Sequence, residues 1–265
     1  MLNAISDADM ELGSLSSLAS HLSAHPQTRV INAPDAVMET TRDGNYNRLL
    51  DLPNVHFPGT IRVVLDAPTP KDLDRQLRAL DFRLPVILRR TGTQTGRSTV
   101  RIDAPEDLVT FCADEPRGEF YAIQYKQLLW RDTFFRKMRL FCIDGAAYPV
   151  VCHFDHVWNV HGGNRRTVMK ASAELMEQEQ HFLRDWRGYI GSKAAAAVED
   201  VFARTPLDFF GMDFTVDTDG GLFIYELNAS MRHSFDHARN FPYKQPHDQA
   251  TSDAFEAMVH RRFQA

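Results

Sequence analysis

Apolar and polar side chains alternate in blocks along this chain, and stretches with helical spacing separate the blocks. The clearest block runs from Phe210 to Asn228. Its two alternating segments flank Asp219-Gly220-Gly221, which predicts a hairpin. With the loop at Thr218 to Gly221, Asp213 falls directly opposite Glu226, and Asn228 points to the same face as Glu226. Strict alternation puts Phe210, Met212, Phe214, Val216, Phe223, Tyr225 and Leu227 on the other, core-facing side. A second hairpin is predicted from Phe135 to Ile143 and Ala146 to Phe154, around Asp144-Gly145. Further strands are expected at Val30 to Asn32, Gly59 to Leu65, Pro85 to Arg90, Thr99 to Ile102 and Phe120 to Tyr125.

Helical spacing covers Leu12 to Leu22, Pro34 onward irregularly to Leu52, Asp103 to Phe111, Ala171 to Trp186, Ser192 to Phe202 and Gln249 to Phe263. One more helix runs to about Leu80, with Thr69 as its N-cap and Pro70 in its first position. Trp158 to Gly163 reads as a loop. Strands grouped between helix pairs favour an α+β fold over a regular doubly wound sheet.

At 265 residues the chain can form one large domain or two lobes with a sizeable core. Its 43% hydrophobic and 25% charged residues are those of a soluble protein. A net charge of -5 gives no hint of a nucleic-acid partner, and none is expected: there is no basic block, only scattered pairs such as Arg89-Arg90 and Arg165-Arg166. No apolar stretch approaches the roughly 20 residues of a membrane span, and the acidic first residues lack the pattern of a secretory signal. Cys112, Cys142 and Cys152 lack metal-ligand spacing; Cys142 and Cys152 read as packed thiols, in keeping with a reducing, cytoplasmic compartment.

The Asp213–Glu226 pair changes the picture. Like charges directly opposite across a sheet are destabilising unless something neutralises them. A hard divalent cation such as Mg²⁺ would do so, taking carboxylates together with substrate phosphate oxygens. The residues alone fit the wet face of an antiparallel sheet equally well. Thr91-Gly-Thr-Gln-Thr-Gly96 joins two strands, carries hydroxyl donors, and is flanked by Arg89, Arg90 and Arg97; it fits a phosphate-cradling loop or an ordinary turn. It has neither the Walker nor the Rossmann pattern. Gln124-Tyr125-Lys126 ends an apolar strand, where backbone N–H and C=O groups could meet an adenine edge or simply finish the strand. His153, Asp155, His156 and His161 read as a polar strand end and loop lining a cleft in preference to a transition-metal site. His233, Asp236 and His237 could contact an acceptor or cap the following segment, while His247 and His260 are expected to face solvent.

Taken in order, these parts resemble the ATP-grasp superfamily: a cation-bearing strand, a Gly-rich flap, an adenine hinge, an Arg-bearing strand and an Asp…Glu-x-Asn hairpin. The resemblance is to the glutathione synthetase/RimK-like branch, especially the ATP-grasp domains found C-terminal to tetratricopeptide repeats. It is carried by Val86 to Arg97, Phe135 to Gly145, Tyr148-Pro149, Trp158 to His161, Gly211-Met-Asp-Phe214 and Glu226-Leu-Asn-Ala-Ser-Met231, and it runs from about Ile31 to Met231.

The resemblance implies two lobes whose antiparallel sheets clasp ATP. Residues 59–125 would form a small lobe with the flap, 126–265 a large lobe with the metal hairpin, and 1–58 a reduced N-terminal region in place of a full substrate domain. It implies that Asp213, Glu226 and Asn228 hold Mg²⁺. Arg89, Thr91, Gly92, Thr95 and Gly96 would bind the phosphates of ATP, and Gln124, Tyr125 and Lys126 the adenine. Arg139 and His161 would act at the reacting groups. Arg89 stands where the family usually has Lys, and Arg62 is the cation nearest to an earlier family Lys.

The activity implied is an ADP-forming carboxylate–amine ligase working through an acyl phosphate on a small molecule, amino acid or peptide. A kinase that stops at phosphorylation, or a nucleotide-binding module acting with a partner, are the alternatives. The short N-terminal region leaves a homodimer or a partner protein open.

Overall fold

The computed structural model describes residues 1–93, 98–160, 163, 165–229 and 231–264. In chain order the elements are α1 (Leu12–Ala24), α2 (Pro34–Met38), α3 (Arg42–Leu49), β1 (Val55–His56), β2 (Thr60–Asp66), α4 (Pro70–Ala79), β3 (Val86–Arg90), β4 (Thr99–Ile102), α5 (Asp107–Asp114) and β5 (Arg117–Gln124). They continue with β6 (Phe135–Ile143), β7 (Ala146–Asp155), α6 (Arg165–Val168), α7 (Ala173–Arg184), α8 (Trp186–Ile190), α9 (Ser192–Arg204), β8 (Phe209–Val216), β9 (Leu222–Asn228) and α10 (Gln245–Gln264). No helix among the described residues is long and apolar enough to cross a membrane.

The strands form two sheets, one in the order β2-β5-β3-β4 and the other β1-β9-β8-β6-β7. All pairings are antiparallel except β1 with β9. The first sheet buries one face under α4 and α5, where Leu73, Leu77, Leu108 and Phe111 pack on Val63, Leu88 and Phe120. The Thr69 hydroxyl accepts the Asp72 N–H and caps α4 as expected. α5 starts later than its pattern suggests, because the Asp107 carboxylate accepts the N–H groups of Asp103 and Ala104 and holds that stretch as a turn.

The second sheet packs one face on α7, α8 and α9, burying Phe182, Tyr189 and Val198 against Met138, Met212 and Phe214. The first residues of the chain join this same core: Leu15, Val37, Leu49, Val55 and Phe57 are buried in it, and β1 extends the sheet beside β9. α10 covers part of the opposite face, packing Met258 and Phe255 on Phe141, Ile143 and Phe209.

The N-terminal segment is stitched to the strand ends by asparagines. The strand expected at Val30 to Asn32 reduces to a single parallel bridge between Leu2 and Ile31. Asn32 then turns into the left-handed region at φ 56°. Its amide donates to the Phe209 carbonyl at 2.7 Å and accepts the Phe209 N–H at 3.0 Å, supplying both backbone partners. Asn45 donates to the carbonyls of Thr40 and Leu227, each at 2.9 Å.

Asn32→Ala should lower the unfolding free energy by roughly 2–4 kcal/mol, because it leaves Phe209's backbone groups unpaired and puts a Cβ-constrained residue at positive φ. A urea midpoint within error of the unsubstituted chain would refute the stitching role.

Candidate active site between the two sheets

A cleft of about 1070 Å³ opens between the uncovered faces of the two sheets. Alternation along each strand decides what it contains. On β6, Met138 and Leu140 point into the core while Lys137 and Arg139 point into the cleft. On β3 and β5, Ile87, Arg89, Tyr121 and Ile123 line the facing wall. Asp213, Glu226 and Asn228 form the floor, with Asp213 paired to Glu226 and Gly211 to Asn228 in the β8–β9 register.

The core-face assignment on β9 needs correcting. A bulge at Tyr225 shifts the register, so that Phe214 pairs with Ile224 and Val216 with Leu222. Leu222 and Ile224 therefore enter the core, while Phe223 and Tyr225 line the cleft. The one-residue insertion reverses the alternation, and the glycine-poor sequence around Tyr225 carries no mark of it.

The two carboxylates are neutralised by cations from three other elements. Asp213 is 2% exposed and accepts a guanidinium fork from Arg139, Nε to Oδ1 at 2.6 Å and Nη2 to Oδ2 at 2.9 Å. Lys137 Nζ adds a contact at 3.5 Å. Arg42, at the start of α3, donates to Glu226 Oε1 at 2.9 Å and to the Tyr225 carbonyl at 2.9 Å. Burial pushes both carboxyls up, but Arg139 and Lys137 at Asp213, and Arg42 and Arg89 at Glu226, outweigh it and hold both below their ordinary values. Arg89 has no ion-pair partner among the described residues. Burial and the nearby Arg42 pull it down to about 10, and its Nη2 donates to the Thr93 carbonyl at 2.5 Å.

No family model and no curated protein sequence matches this chain. Solved structures do. Carboxyaminoimidazole ribonucleotide synthase from Aspergillus clavatus, solved with ATP, aligns at a TM-score of 0.54 and 14% identity over 86% of this chain and 53% of that one. D-alanine–D-alanine ligase from Bacillus anthracis aligns at 0.59 and 10% identity, over 92% of this chain and 75% of that one. This chain has the ATP-grasp fold. It spans about half the length of the synthase, which is 53% covered.

On this ATP-grasp frame the predicted residues fall as follows. Arg89, Gly92, Gln124, Tyr125, Lys126, Arg139, Asp213, Glu226 and Asn228 all line the cleft. Thr91 turns its hydroxyl and N–H to the Glu119 carbonyl, and Thr93 lines the cleft in its place. Thr95, Gly96 and His161 lie outside the described residues. Gln124 spends its amide on the carbonyls of Arg83 and Pro85, fixing the loop before β3. The Tyr125 ring meets Trp158 edge-on at 5.9 Å, and Lys126 sits over the Phe223 ring at 5.9 Å. Arg62 lies outside the lining, its guanidinium spent on Asp9, Asp43 and Glu119.

His153 lines the cleft, whereas His156 packs on Phe134. His233 Nε2 donates to the Asp248 carbonyl at 3.0 Å and anchors α10, while His237 faces the cleft. His260 is exposed, as expected, and His247 is half-buried; burial and Lys244 hold the His247 imidazole below the ordinary range.

Sequence reading missed Lys137 and Arg42. Lys137 was within reach, since it stands two residues before Arg139 on the same strand face. Arg42 comes from a helix far away in sequence, and no local pattern marks it.

Removing Arg139 tests the electrostatics of this floor. Asp213's folded pKa lies below its unfolded value, so its contribution is present above the unfolded carboxyl pKa and is lost as pH falls through the folded one. In Arg139→Met the folded carboxyl pKa should rise toward or past the unfolded value, so the part of the acid-induced stability loss that Asp213 causes should shrink or reverse, on top of a loss of about 3 kcal/mol near neutrality. Superimposable acid limbs in pH-dependent urea denaturation would contradict the pairing.

Proposed function

We propose that this protein is an ADP-forming carboxylate–amine ligase that uses Mg·ATP. The observation that carries the reading is the pair of a buried Asp213 and a half-buried Glu226 facing Arg42, Arg89, Lys137 and Arg139 across a cleft between two antiparallel sheets. Among these described groups four cations meet two carboxylates, so the floor is complementary to a polyphosphate. Arg89, without a carboxylate partner among the described residues, is the cation best suited to phosphate.

The donor set fits a hard metal ion. Asp213, Glu226 and Asn228 offer two carboxylates and an amide on one face of a hairpin, all oxygen donors of the kind Mg²⁺ takes. Bound there with ATP, the metal would neutralise charge on the transferring phosphoryl group. As Asp213 turns to the metal, Arg139 and Lys137 would be released toward the reacting groups.

In the reaction a substrate carboxylate oxygen bonds to the γ-phosphorus, the bond to the β,γ-bridging oxygen breaks, and ADP leaves. The amine then attacks the acyl carbon, loses its proton, and displaces phosphate. Arg139 and Arg89 would position the triphosphate and offset the charge spreading over it. Tyr125, Lys126 and Phe223 would wall the base. The likeness to solved ATP-grasp enzymes supports this reaction class, and the free thiols of Cys112, Cys142 and Cys152 are in keeping with a reducing compartment.

³¹P NMR with Mg·ATP, pooled carboxylates and amines should give ADP and phosphate only when both co-substrates are present. A persistent new phosphoryl resonance would replace the ligase by a kinase. Glu226→Gln should lower ADP formation by about 10²–10³-fold while the fold survives, checked by circular dichroism; full activity would remove the hairpin from the site. Arg89→Ala should weaken ATP binding by roughly tenfold or more in calorimetry, and unaltered affinity would exclude it from the phosphate site.

A further inference from the structure

We propose that Arg62 is the pin of a clasp that holds the β2-β5-β3-β4 sheet against the N-terminal segment and sets how wide the cleft stands. The clasp follows from the fold and the cleft alone and does not depend on the ligase reading.

The β2-β5-β3-β4 sheet is a body with its own core. Val63, Leu73, Leu88, Leu108 and Phe120 pack among themselves, while the N-terminal residues Ala8, Leu15, Val37 and Leu49 belong to the core of the other sheet. The chain crosses between the two sheets at residues 57–59 and again at 125–134. The crossings leave side by side, since the Gln124 N–H donates to the Gly59 carbonyl at 2.9 Å. Two adjacent strands of backbone make a hinge, and a body held only there is free to rock until something fixes it beyond the hinge.

Arg62 supplies that fixing point. It alternates with Val63 on β2, so it leaves the sheet on the face opposite the core. Its Nη2 donates to Asp9 Oδ1 at 2.6 Å and its Nε to Asp43 Oδ2 at 2.9 Å. Both acids come from the N-terminal segment. Tyr121, opposite Arg62 on β5, donates its hydroxyl to the same Asp9 oxygen at 2.7 Å. Met10, the next residue, rests on Gly92 just past the far end of β3. Residues 9 and 10 therefore grip the sheet at two points away from the crossings.

The charges make this grip conditional. Arg62 faces a third acid, Glu119, at 3.2 Å, and Glu119 stands on Arg62's own sheet. One guanidinium thus neutralises three carboxylates, two across the gap and one on its own side. Without it the acids are like charges crowded together, and Asp9 and Asp43 would repel Glu119 and the sheet that carries it. The Arg62 side chain is 29% exposed, so salt reaches the cluster and weakens it.

Spin labels on the full chain, without ligand, test the clasp. Arg75 on α4 and Asp200 on α9 are exposed, one on each body. Labels at Arg75→Cys and Asp200→Cys, in a Cys112→Ser background, give the distance between the bodies by pulsed electron resonance. Arg62→Met should broaden that distance and lengthen it by more than about 2 Å, and Asp9→Asn should do so in part. Glu119→Gln, which removes an acid from Arg62's own side, should leave it unchanged. If Arg62→Met loses its fold by circular dichroism, roughly 1 M salt on the Arg62-bearing chain reads the same opening. An unchanged distance in Arg62→Met, no response to that salt, or a change in Glu119→Gln as large as in Asp9→Asn would overturn the clasp.

Discussion

Two carboxylates side by side on a β-hairpin, one buried and one half-buried, set the terms for the rest of this structure. Asp213 and Glu226 face each other in register, both ionised, on the floor of a cleft. Such a pair persists only if cations are brought to it, and the cations come from β6, α3 and β3. The floor therefore pulls together segments from both sheets and from the start of the chain. Under the proposed function this arrangement would be exchanged, a metal–polyphosphate taking over the carboxylates and the cations at once. A buried ion pair is weak evidence of stabilisation by itself; under the proposed function its value would lie in the charge it stores for a ligand.

The first residues of the chain serve the cleft as a wall and a clamp. Their apolar side chains share the large sheet's core, and Ser6, Asp9, Thr41 and Arg42 line the cavity. Asp9 accepts from Arg62 at 2.6 Å and from the Tyr121 hydroxyl at 2.7 Å, bridging to the smaller sheet. Met10 packs directly on Gly92, whose φ of 66° and lack of a side chain permit that approach. This segment thus lines the cleft and presents Arg42 to Glu226.

Much of the site's logic was legible in the chain itself. The turn at Asp219-Gly220-Gly221, with alternation on either side, aligned Asp213 with Glu226, and the Asp144-Gly145 turn brought Arg139 onto the neighbouring strand. These are local determinants: turn chemistry sets register, and register sets which side chains share a face. The helix start at Thr69-Pro70 was readable for the same reason, because a cap and the residues it serves are neighbours in sequence.

What escaped the sequence was decided at a distance. The bulge at Tyr225 sent Phe223 and Tyr225 into the cleft and Ile224 into the core, although strict alternation assigns them the other way. Val30 to Asn32 became a bridge and a left-handed turn because Asn32 finds its partners at Phe209, which no local propensity encodes. Arg42 reaches Glu226, and Arg165 reaches Glu179 and His153, only once the sheets and helices have packed. The chain by itself determined the hairpins, their facing carboxylates and the α+β class, because these follow from periodicity and turns. Only the tertiary structure decided which cations neutralise those carboxylates and what shape the pocket beside them takes. Long-range charge pairing and burial are properties of the packed molecule and not of any window of its sequence.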